Sequence, residues 1–186
     1  LEAGYDIHFL LRSDYQHISQ HGLRVDSVAG DIVLPRVQCA ASSADIGPVD
    51  LVIIAWKTTA NAHYEEVIRP LLHDDTQILT LQNGLGNVER LAGLFGRSRI
   101  FGGLCFVCIN RIAPGHLHHS ASGLIRVGEF DAPENEVTNK LENLVGFLKE
   151  GGIDCQAVSN LEAAQWMKLV WNIPFNGLAI TEGGVD

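Results

Sequence analysis

Short apolar runs alternate along the chain with amphipathic stretches, and glycine, proline and polar residues separate the two kinds of segment. Apolar runs of strand length occur at residues 5–11, 51–55 and 78–81. Residues 59–72 and 87–95 place their apolar side chains at helical spacing, so each stretch predicts a helix that buries one face. Because strands that alternate with helices form parallel sheets through crossover connections, this part of the chain predicts an α/β fold.

A different pattern follows in the second half of the chain. Residues 100–109 and 124–128 are strand-like, and the turn signal Pro114-Gly115 lies between them. These two strands predict an antiparallel addition to the parallel sheet, which is common in large α/β folds. Residues 135–149 then place apolar positions on one helical face, and residues 153–158 form the last predicted strand.

Together these elements predict a doubly wound α/β domain with a mainly parallel sheet, interrupted at residues 23–37 by a small antiparallel excursion. The S-x-x-E pattern that begins at Ser159 is typical of a capping box, so another helix is predicted to start there. We place a domain boundary at this point. Residues 1–159 form the first domain, and residues 160–186 begin an all-helical one.

The two ends of the chain lack the signals that open and close a complete domain. The chain does not begin with methionine, and Leu1-Glu2-Ala3-Gly4 is typical of the last turn of a helix with a glycine C-cap. The final stretch, Thr181-Glu182-Gly183-Gly184, closes no predicted element. We therefore expect an interior piece of a longer protein.

A row of polar residues in an apolar segment is the strongest functional signal. Lys168, Asn172 and Asn176 are four residues apart, and on a helix this spacing places them near one face. Burying an amide or an ammonium without a partner costs a few kcal/mol, roughly, so the row needs partners, and a bound substrate would supply them. The alternative is a solvated stripe on an amphipathic helix, which Trp166 and Trp171 in the same segment disfavour.

Three predicted strands end in polar groups that suit a ligand. In open α/β sheets, ligands bind outside the carboxyl ends of the strands. Arg12-Ser13, Lys57 and Asn83-Gly84 follow the three strands of the first half. If the fold binds a dinucleotide, an arginine in the place of Arg12 suits a 2′-phosphate and favours NADP over NAD. The alternatives are a surface arginine, a solvated lysine and an ordinary Asn-Gly turn.

Composition narrows the class of protein further. Hydrophobic residues make up 46% of the 186 residues and charged residues 19%, which is typical of a folded globular chain. The net charge of −9, without a basic stripe, argues against a nucleic-acid partner. No apolar run reaches the length of a membrane span, and no signal peptide is present, so we expect no membrane partner and a cytoplasmic location.

The cysteines and histidines predict no metal site. The four cysteines are scattered, which fits a reduced cytosolic protein better than a disulfide framework. Cys105 and Cys108 have zinc-like spacing, but they lie in a predicted strand, and no second pair accompanies them. His116, His118 and His119 lie near a turn and are interpreted as surface imidazoles.

Taken in order, these motifs resemble the ketopantoate reductase (2-dehydropantoate 2-reductase) family. The resemblance rests on Leu-Leu-Arg-Ser at residues 10–13, Trp-Lys at 56–57, Leu-Gln-Asn-Gly-Leu-Gly at 81–86, and Lys-x-x-x-Asn-x-x-x-Asn at 168–176. Pro114-Gly115, His119 and the stretch 123–129 add to it, so that it covers essentially the whole chain. It implies a Rossmann-type domain followed by a helical domain, with the active site between them.

The resemblance also implies an activity, the NADPH-dependent reduction of ketopantoate to pantoate in pantothenate and coenzyme A synthesis. Lys168 resembles the catalytic lysine that protonates the developing alkoxide. Asn172 and Asn176 resemble substrate-contacting asparagines one and two helical turns further on. Asn83 resembles the asparagine that lies near both the nicotinamide and the substrate.

The remaining candidate residues resemble residues of the family that bind the cofactor. Lys57 resembles a lysine beside the cofactor, and Arg12, with Ser13 assisting, resembles the ligand of the 2′-phosphate. The implied cofactor is therefore NADP(H), and the implied partner is a small 2-keto acid. A homodimer remains among the assemblies that the sequence allows.

The chain also departs from the family pattern. It contains no G-x-G-x-x-G turn, so we expect it to bind NADPH poorly as it stands. Gly177 follows Asn176 where the family more often has Pro-Leu, and Pro174 lies earlier. Two alternatives stay open beside ketopantoate reduction: a related NADP-dependent 2-keto or hydroxy acid oxidoreductase, and a non-catalytic NADP-binding sensor or degenerate paralogue.

Overall fold

The computed structural model describes residues 3–133 and 135–183 of the chain. The strands are β1 (His8–Leu10), β2 (Leu23–Ser27), β3 (Ile32–Leu34), β4 (Gln38–Ala40), β5 (Leu51–Ile54), β6 (Gln77–Thr80), β7 (Ile100–Ala113), β8 (His116–Glu129) and β9 (Cys155–Ala157). The α-helices are α1 (Tyr15–His21), α2 (Tyr64–Ile68), α3 (Asn87–Phe95), α4 (Asn139–Glu150) and α5 (Leu161–Thr181). Short 3-10 helices occur at Ser43–Asp45, Thr58–His63, Arg69–Leu71 and Arg97–Arg99.

Most strand pairs in the main sheet are parallel. Strands β5, β6 and β7 are parallel neighbours, and β7 and β8 form an antiparallel hairpin. The other edge of β8 pairs in parallel with β2 along its first part and with β9 along its second part. Strand β3 adds to β2 in the antiparallel direction, and β1 and β4 form a separate parallel pair. The predicted mainly parallel α/β sheet is confirmed.

Helices cover both faces of the main sheet. On one face, helices α2, α3 and α5 bury apolar side chains against β5, β6 and β7, and the largest of these side chains is Tyr64. On the other face, Leu141 and Leu144 of α4 pack against Phe101 and Val127. Strands β6 and β7 therefore contribute alternate residues to two different cores, which is the doubly wound arrangement that the sequence predicted.

Two glycines on neighbouring strands let α5 lie close to the sheet. Gly102 of β7 and Gly128 of β8 are register partners, and both face the first residue of α5, Leu161. A Cβ atom on Gly128 would lie 2.8 Å from the Cβ and 3.2 Å from the Cα of Leu161. The absence of side chains at this point fixes how closely the helix that carries Lys168 approaches the strands.

Several predicted boundaries are wrong by a few residues. Strand β1 covers only His8–Leu10, the three residues that pair with β4, and not 5–11. The helix predicted at 59–72 is split into 3-10, α and 3-10 segments, and its α-helical part ends before Pro70, which has no N–H to continue it. At the N-terminus, Gly4 has a positive φ of 81°, which is compatible with the predicted glycine C-cap, and Leu1 and Glu2 of that predicted turn lie outside the described residues.

The starts of α4 and α5 also differ from the prediction. Helix α4 begins at Asn139 because the Thr138 side chain accepts a hydrogen bond from the Leu141 N–H at 3.1 Å. Helix α5 is capped by Asn160, one residue after the predicted Ser159, and the Asn160 Oδ1 accepts from the Ala163 N–H at 2.9 Å. None of the described helices combines the length and the hydrophobicity that crossing a bilayer requires.

Candidate active site

Two elements bring the polar residues of the candidate site together at the carboxyl end of β6. The loop that follows β6 carries Asn83 and leads into α3. Helix α5 begins against β7 and β8 and runs past this loop, so that its second turn brings Lys168 towards Asn83. The predicted strand end and the predicted polar helix face, which are 85 residues apart in sequence, therefore meet.

Lys168 is half-buried between α5, the Asn83 loop and β7. Its Nζ donates hydrogen bonds to the Asn83 Oδ1 at 2.8 Å and to the backbone carbonyl of Cys105 at 2.7 Å. The same atom lies 5.3 Å from the centroid of the Phe106 ring, which is within the range of a cation–π contact. All three contacts favour a charged ammonium at this position.

Burial acts on the same lysine in the opposite direction. Desolvation lowers the pKa of Lys168 below its ordinary value of 10.5, and the charge of the neighbouring Cys105 thiolate would oppose part of this shift. The pKa shift has the direction expected for a lysine in a cleft. An ammonium with a lowered pKa is a stronger acid than an ordinary lysine and gives up its proton more readily.

A small cavity opens beside the lysine. Its walls come from the β6 loop, from β7 and from one face of α5, and its lining residues are Gln82, Asn83, Gly84, Gly103, Leu104, Gln165, Lys168, Leu169 and Asn172. Of the predicted polar row on α5, Lys168 and Asn172 thus face the same space as Asn83.

Asn176 lies apart from this cavity. Helix α5 continues through Pro174 to Thr181, and the Asn176 side chain, two turns beyond Lys168, is exposed to solvent. The large apolar side chains of α5 are also exposed, among them Trp166 at 51% and Trp171 at 65%. Trp166 and Trp171, whose presence in the sequence argued against a solvated stripe, are therefore themselves exposed in the part of the chain that the structure describes.

The predicted cofactor residues lie at other strand ends. Arg12 and Ser13 are exposed and follow β1, where the Ser13 hydroxyl donates to Asp14 at 3.1 Å. Lys57 is exposed and precedes the 3-10 helix Thr58–His63. None of these three residues lines the cavity beside Lys168 in the part of the chain that the structure describes.

Gln165 is a cavity residue that sequence reasoning missed. It lies one helical turn before Lys168, so it extends the polar row of α5 in the direction opposite to Asn172. A search for polar residues at i−3 as well as at i+4 would have found it. Asn61 and Asn87, which pack behind the Asn83 loop, were also missed, and no sequence spacing indicates that they meet.

Fold and site together define a Rossmann-type α/β protein whose polar cavity is centred on a lysine at the carboxyl end of the sheet. Comparison with known families gives the closer assignment. The family model described as ketopantoate reductase PanE/ApbA matches residues 1–132, and the chain belongs to this family. The resemblance inferred from the motifs is thereby confirmed.

Individual relatives agree with this assignment. The chain is 38% identical over 181 residues to a 2-dehydropantoate 2-reductase of Nostoc sp., and the match covers 96% of this chain and 57% of the relative. Among solved structures, the 2-dehydropantoate 2-reductase of Geobacter metallireducens is 51% identical with a TM-score of 0.90, and the match covers 96% of this chain and 58% of that one.

The corresponding enzyme of Methylococcus capsulatus is 29% identical with a TM-score of 0.85, and the match covers 100% of this chain and 59% of that one. The chain thus spans somewhat more than half the length of the relatives that it matches.

Proposed function

We propose that the protein reduces a 2-keto acid with NADPH, that the substrate is 2-dehydropantoate, and that Lys168 is the general acid. The observation that carries the proposal is the half-buried Lys168 ammonium, held 2.8 Å from the Asn83 amide oxygen beside a cavity at the carboxyl end of β6. The names of the similar proteins support the choice of substrate. The product, pantoate, would enter pantothenate synthesis.

The hydrogen bonds of Lys168 fit the role of an acid. An ammonium has three N–H groups, and two of them are directed to the Asn83 Oδ1 and to the Cys105 carbonyl. One N–H group is left to donate to a substrate oxygen. The nicotinamide would supply a hydride to the carbonyl carbon, and the electron pair of the C=O bond then moves to the oxygen. Lys168 stabilises this negative charge and transfers its proton to it, which yields the hydroxyl group.

The neutral amides suit the binding of the substrate. We assign Asn83 and Asn172, which line the cavity with Lys168, to contacts with the keto acid. Amides can hold a carbonyl or hydroxyl group without competing for the proton that Lys168 donates. Asn176 is kept as a third substrate ligand on the family resemblance alone, because its side chain lies outside the cavity.

The cofactor is assigned to exposed groups at the strand ends. Arg12 follows β1 at its carboxyl end, and its guanidinium forms no ion pair within the described residues. A planar guanidinium in this position suits a phosphate, so we assign Arg12 and Ser13 to the 2′-phosphate of NADPH. Lys57 is assigned to a contact with the cofactor, and Asn83 to the region near the nicotinamide.

The division of the chain into 1–159 and 160–186 is likewise a proposal. The exposed apolar side chains of α5 support it, because a helix with such a surface is typically covered by further protein. Acrylamide should quench Trp166 and Trp171 strongly in the 186-residue chain and weakly in the product of the complete reading frame. Equal quenching in the two proteins would remove the support for a helical domain that begins here.

A substrate panel tests the choice of reaction. The product of the complete reading frame is mixed with NADPH and, in turn, with 2-dehydropantoate, other branched 2-keto acids and a straight-chain 2-keto acid, and the loss of NADPH is followed. We expect the highest kcat/KM with 2-dehydropantoate. A higher value for another acid would favour the related oxidoreductase. Binding of NADPH without turnover of any acid would favour the non-catalytic sensor.

A further inference from the structure

A pair of buried asparagines lies behind the loop that carries Asn83. Asn61 and Asn87 are only 9% and 5% exposed, and they come from different elements, the 3-10 helix Thr58–His63 and the first position of α3. The Asn61 Nδ2 donates to the Asn87 Oδ1 at 2.8 Å. Because a buried amide without a hydrogen-bond partner is destabilising, two buried amides that bond to each other form a constrained unit.

Asn87 connects this unit to the backbone of the active-site loop. Its Nδ2 donates to the carbonyl oxygen of Asn83 at 3.1 Å and to that of Gly84 at 3.4 Å. The loop contains two glycines with positive φ, Gly84 at 95° and Gly86 at 84°, so its own backbone preferences constrain it little. The Asn87 side chain is therefore a direct restraint on the position of Asn83.

A second set of side chains fixes Asn61 in turn. The Asn61 Oδ1 accepts from the Gln82 Nε2 at 2.8 Å and, more weakly, from the Trp56 Nε1 at 3.4 Å. The Gln82 Oε1 accepts from the Tyr64 hydroxyl and from the Thr80 hydroxyl. The amide oxygens of Asn61 and Gln82 thus both accept hydrogen bonds, which fixes the orientation of the two amide groups.

Tyr64 remains a hydrogen-bond donor throughout the neutral and moderately basic range. Burial raises the pKa of Tyr64 to about 12, against the opposing influence of Arg90 and Gln82. The hydroxyl therefore keeps its proton, and the network keeps one arrangement of donors and acceptors over the pH range in which Lys168 titrates.

We propose that Asn87, oriented by Asn61, is a positioning residue for the reaction: it holds the Asn83 loop so that the Asn83 Oδ1 receives an N–H group of Lys168. This inference rests on the proposed function of Lys168 as the acid. Neither asparagine is among the residues that line the cavity, so both act through Asn83. Their role is to keep the acid aimed at the substrate oxygen.

Loss of the restraint should change both the rate and the acidity of Lys168. A misplacement of about 1 Å in a catalytic group can reduce a rate by roughly 10²-fold. The Asn83 oxygen also stabilises the charged ammonium, so a loosened loop should lower the pKa of Lys168 further. The basic limb of the pH–rate profile should then move to lower pH. A purely structural role would lower the melting temperature without moving this limb.

Asn87→Ala and Asn61→Ala test the proposal, with Asn143→Ala on the exposed face of α4 as the matched control. For each variant made in the product of the complete reading frame, we would measure the melting temperature, kcat and KM for 2-dehydropantoate, the pH–rate profile, and the pKa of Lys168 by NMR. For Asn87→Ala we expect kcat to fall about 10- to 100-fold, with a lower Lys168 pKa and a smaller change in KM. Asn61→Ala, which leaves the Asn87 donors in place, should show the same changes in weaker form.

The outcomes separate this inference from the proposed function. If the wild type is inactive but the Lys168 pKa falls in Asn87→Ala, the positioning holds and the proposed reaction fails. If the wild type is active and Asn87→Ala keeps both its kcat and its Lys168 pKa, the positioning role is overturned. If Asn87→Ala does not fold, Asn61→Ala decides by the same two measurements, and wild-type values in that variant also overturn the proposal.

Discussion

Lys168 combines two opposing influences at the scale of a single residue. Its contacts with the Asn83 amide and the Cys105 carbonyl favour the charged form, while burial disfavours it. The balance lies on the side of a lowered pKa. A general acid has to be protonated in the reactive enzyme, so activity should be constant at lower pH and decline as the pH rises through the pKa of Lys168.

The pH–rate profile therefore carries a specific prediction for Lys168. The basic limb of kcat/KM should lie below pH 10.5, the ordinary pKa of a lysine, because burial lowers the pKa. In Lys168→Arg the positive charge remains, but a guanidinium does not give up its proton. Turnover should therefore be lost, and with it the basic limb of the pH–rate profile. An unchanged limb in an active Lys168→Arg variant would mean that another group titrates.

Arg12 carries a prediction about the choice of cofactor. Hydrogen bonds to charged groups contribute about 1.5–3 kcal/mol, so Arg12→Ala should weaken NADPH binding by roughly 10- to 100-fold and leave NADH binding nearly unchanged. Arg36→Ala is the control. Arg36 is also an exposed arginine, but it precedes β4, the strand that pairs in parallel with β1, and so lies at the other end of this strand pair. Fluorescence titration with both nucleotides measures the ratio, and an equal loss for NADPH and NADH in Arg12→Ala would contradict the assignment.

At the residue scale, local sequence patterns indicated three of the residues that the structure brings to one cavity, while the roles of these residues stay predictions. Lys168 and Asn172 follow from helical spacing, and Asn83 follows from its place after a strand. Asn61 and Asn87 gave no such signal, because they meet only through the packing of two separate segments. A single asparagine in a helical turn looks the same in sequence whether it is buried or solvated.

At the scale of elements, the approach of α5 to the sheet controls where Lys168 lies. The new Cβ in Gly128→Ala would clash with the backbone as well as the side chain of Leu161, so the start of α5 should move. In Gly102→Ala the close contacts are the flexible ends of Leu161 and Val88. We therefore expect Gly128→Ala to lower kcat more than Gly102→Ala does.

Gly146→Ala is the control for these two substitutions. Gly146 lies within α4, and a Cβ there would meet no atom within 4 Å. Replacing a helical glycine by alanine should stabilise the protein by about 0.5–1 kcal/mol and leave kcat unchanged. Thermal unfolding and steady-state kinetics of the three variants give the comparison, and equal kcat values in all three would refute a role for the helix–sheet distance.

A second prediction concerns the attachment of α1 to the long hairpin. Asp14, just before α1, accepts hydrogen bonds from the Arg111 Nε and Nη2 of β7 at 2.9 Å and 2.6 Å. The bond from Arg111 is the main reason that the pKa of Asp14 falls from 3.8 to about 2. Because the carboxylate pKa is lower in the folded state, its stabilising contribution is present above about pH 4 and is lost as the pH falls towards 2.

Asp14→Asn should therefore be less stable than the wild type at neutral pH, and this difference in unfolding free energy should shrink as the pH is lowered from 4 towards 2. Asp75→Asn serves as the control, since Asp75 is exposed and forms no ion pair among the described residues. Urea unfolding at several pH values measures both differences. A difference for Asp14→Asn that stays constant down to pH 2 would contradict the lowered pKa.

The hairpin of β7 and β8 marks the limit of prediction for elements. Its strands cover Ile100–Ala113 and His116–Glu129, whereas the apolar pattern predicted only 100–109 and 124–128. The outer half of the hairpin is largely exposed and carries Asn110, Arg111 and His118, so the alternation of buried and exposed residues is lost there. Backbone pairing continues where the sequence pattern ends.

For the whole molecule, the alternation of strands and helices was sufficient to predict the fold class. The order of the strands in the sheet could not be predicted in the same way. One edge of β8 pairs first with β2 and then with β9, and no sequence pattern indicates that two strands pair with the same edge. The exposed apolar surface of α5 was also not predicted, since helical spacing does not show what covers each face.

The most direct test of the proposed acid compares three forms of the product of the complete reading frame: the wild type, Lys168→Ala and Lys149→Ala, whose lysine is exposed on α4. The oxidation of NADPH with 2-dehydropantoate and the binding of NADPH are measured for each. We predict that Lys168→Ala reduces kcat by about 10²- to 10⁴-fold and retains its NADPH affinity, while Lys149→Ala matches the wild type. A Lys168→Ala variant that turns over 2-dehydropantoate at the wild-type rate would show that another group donates the proton.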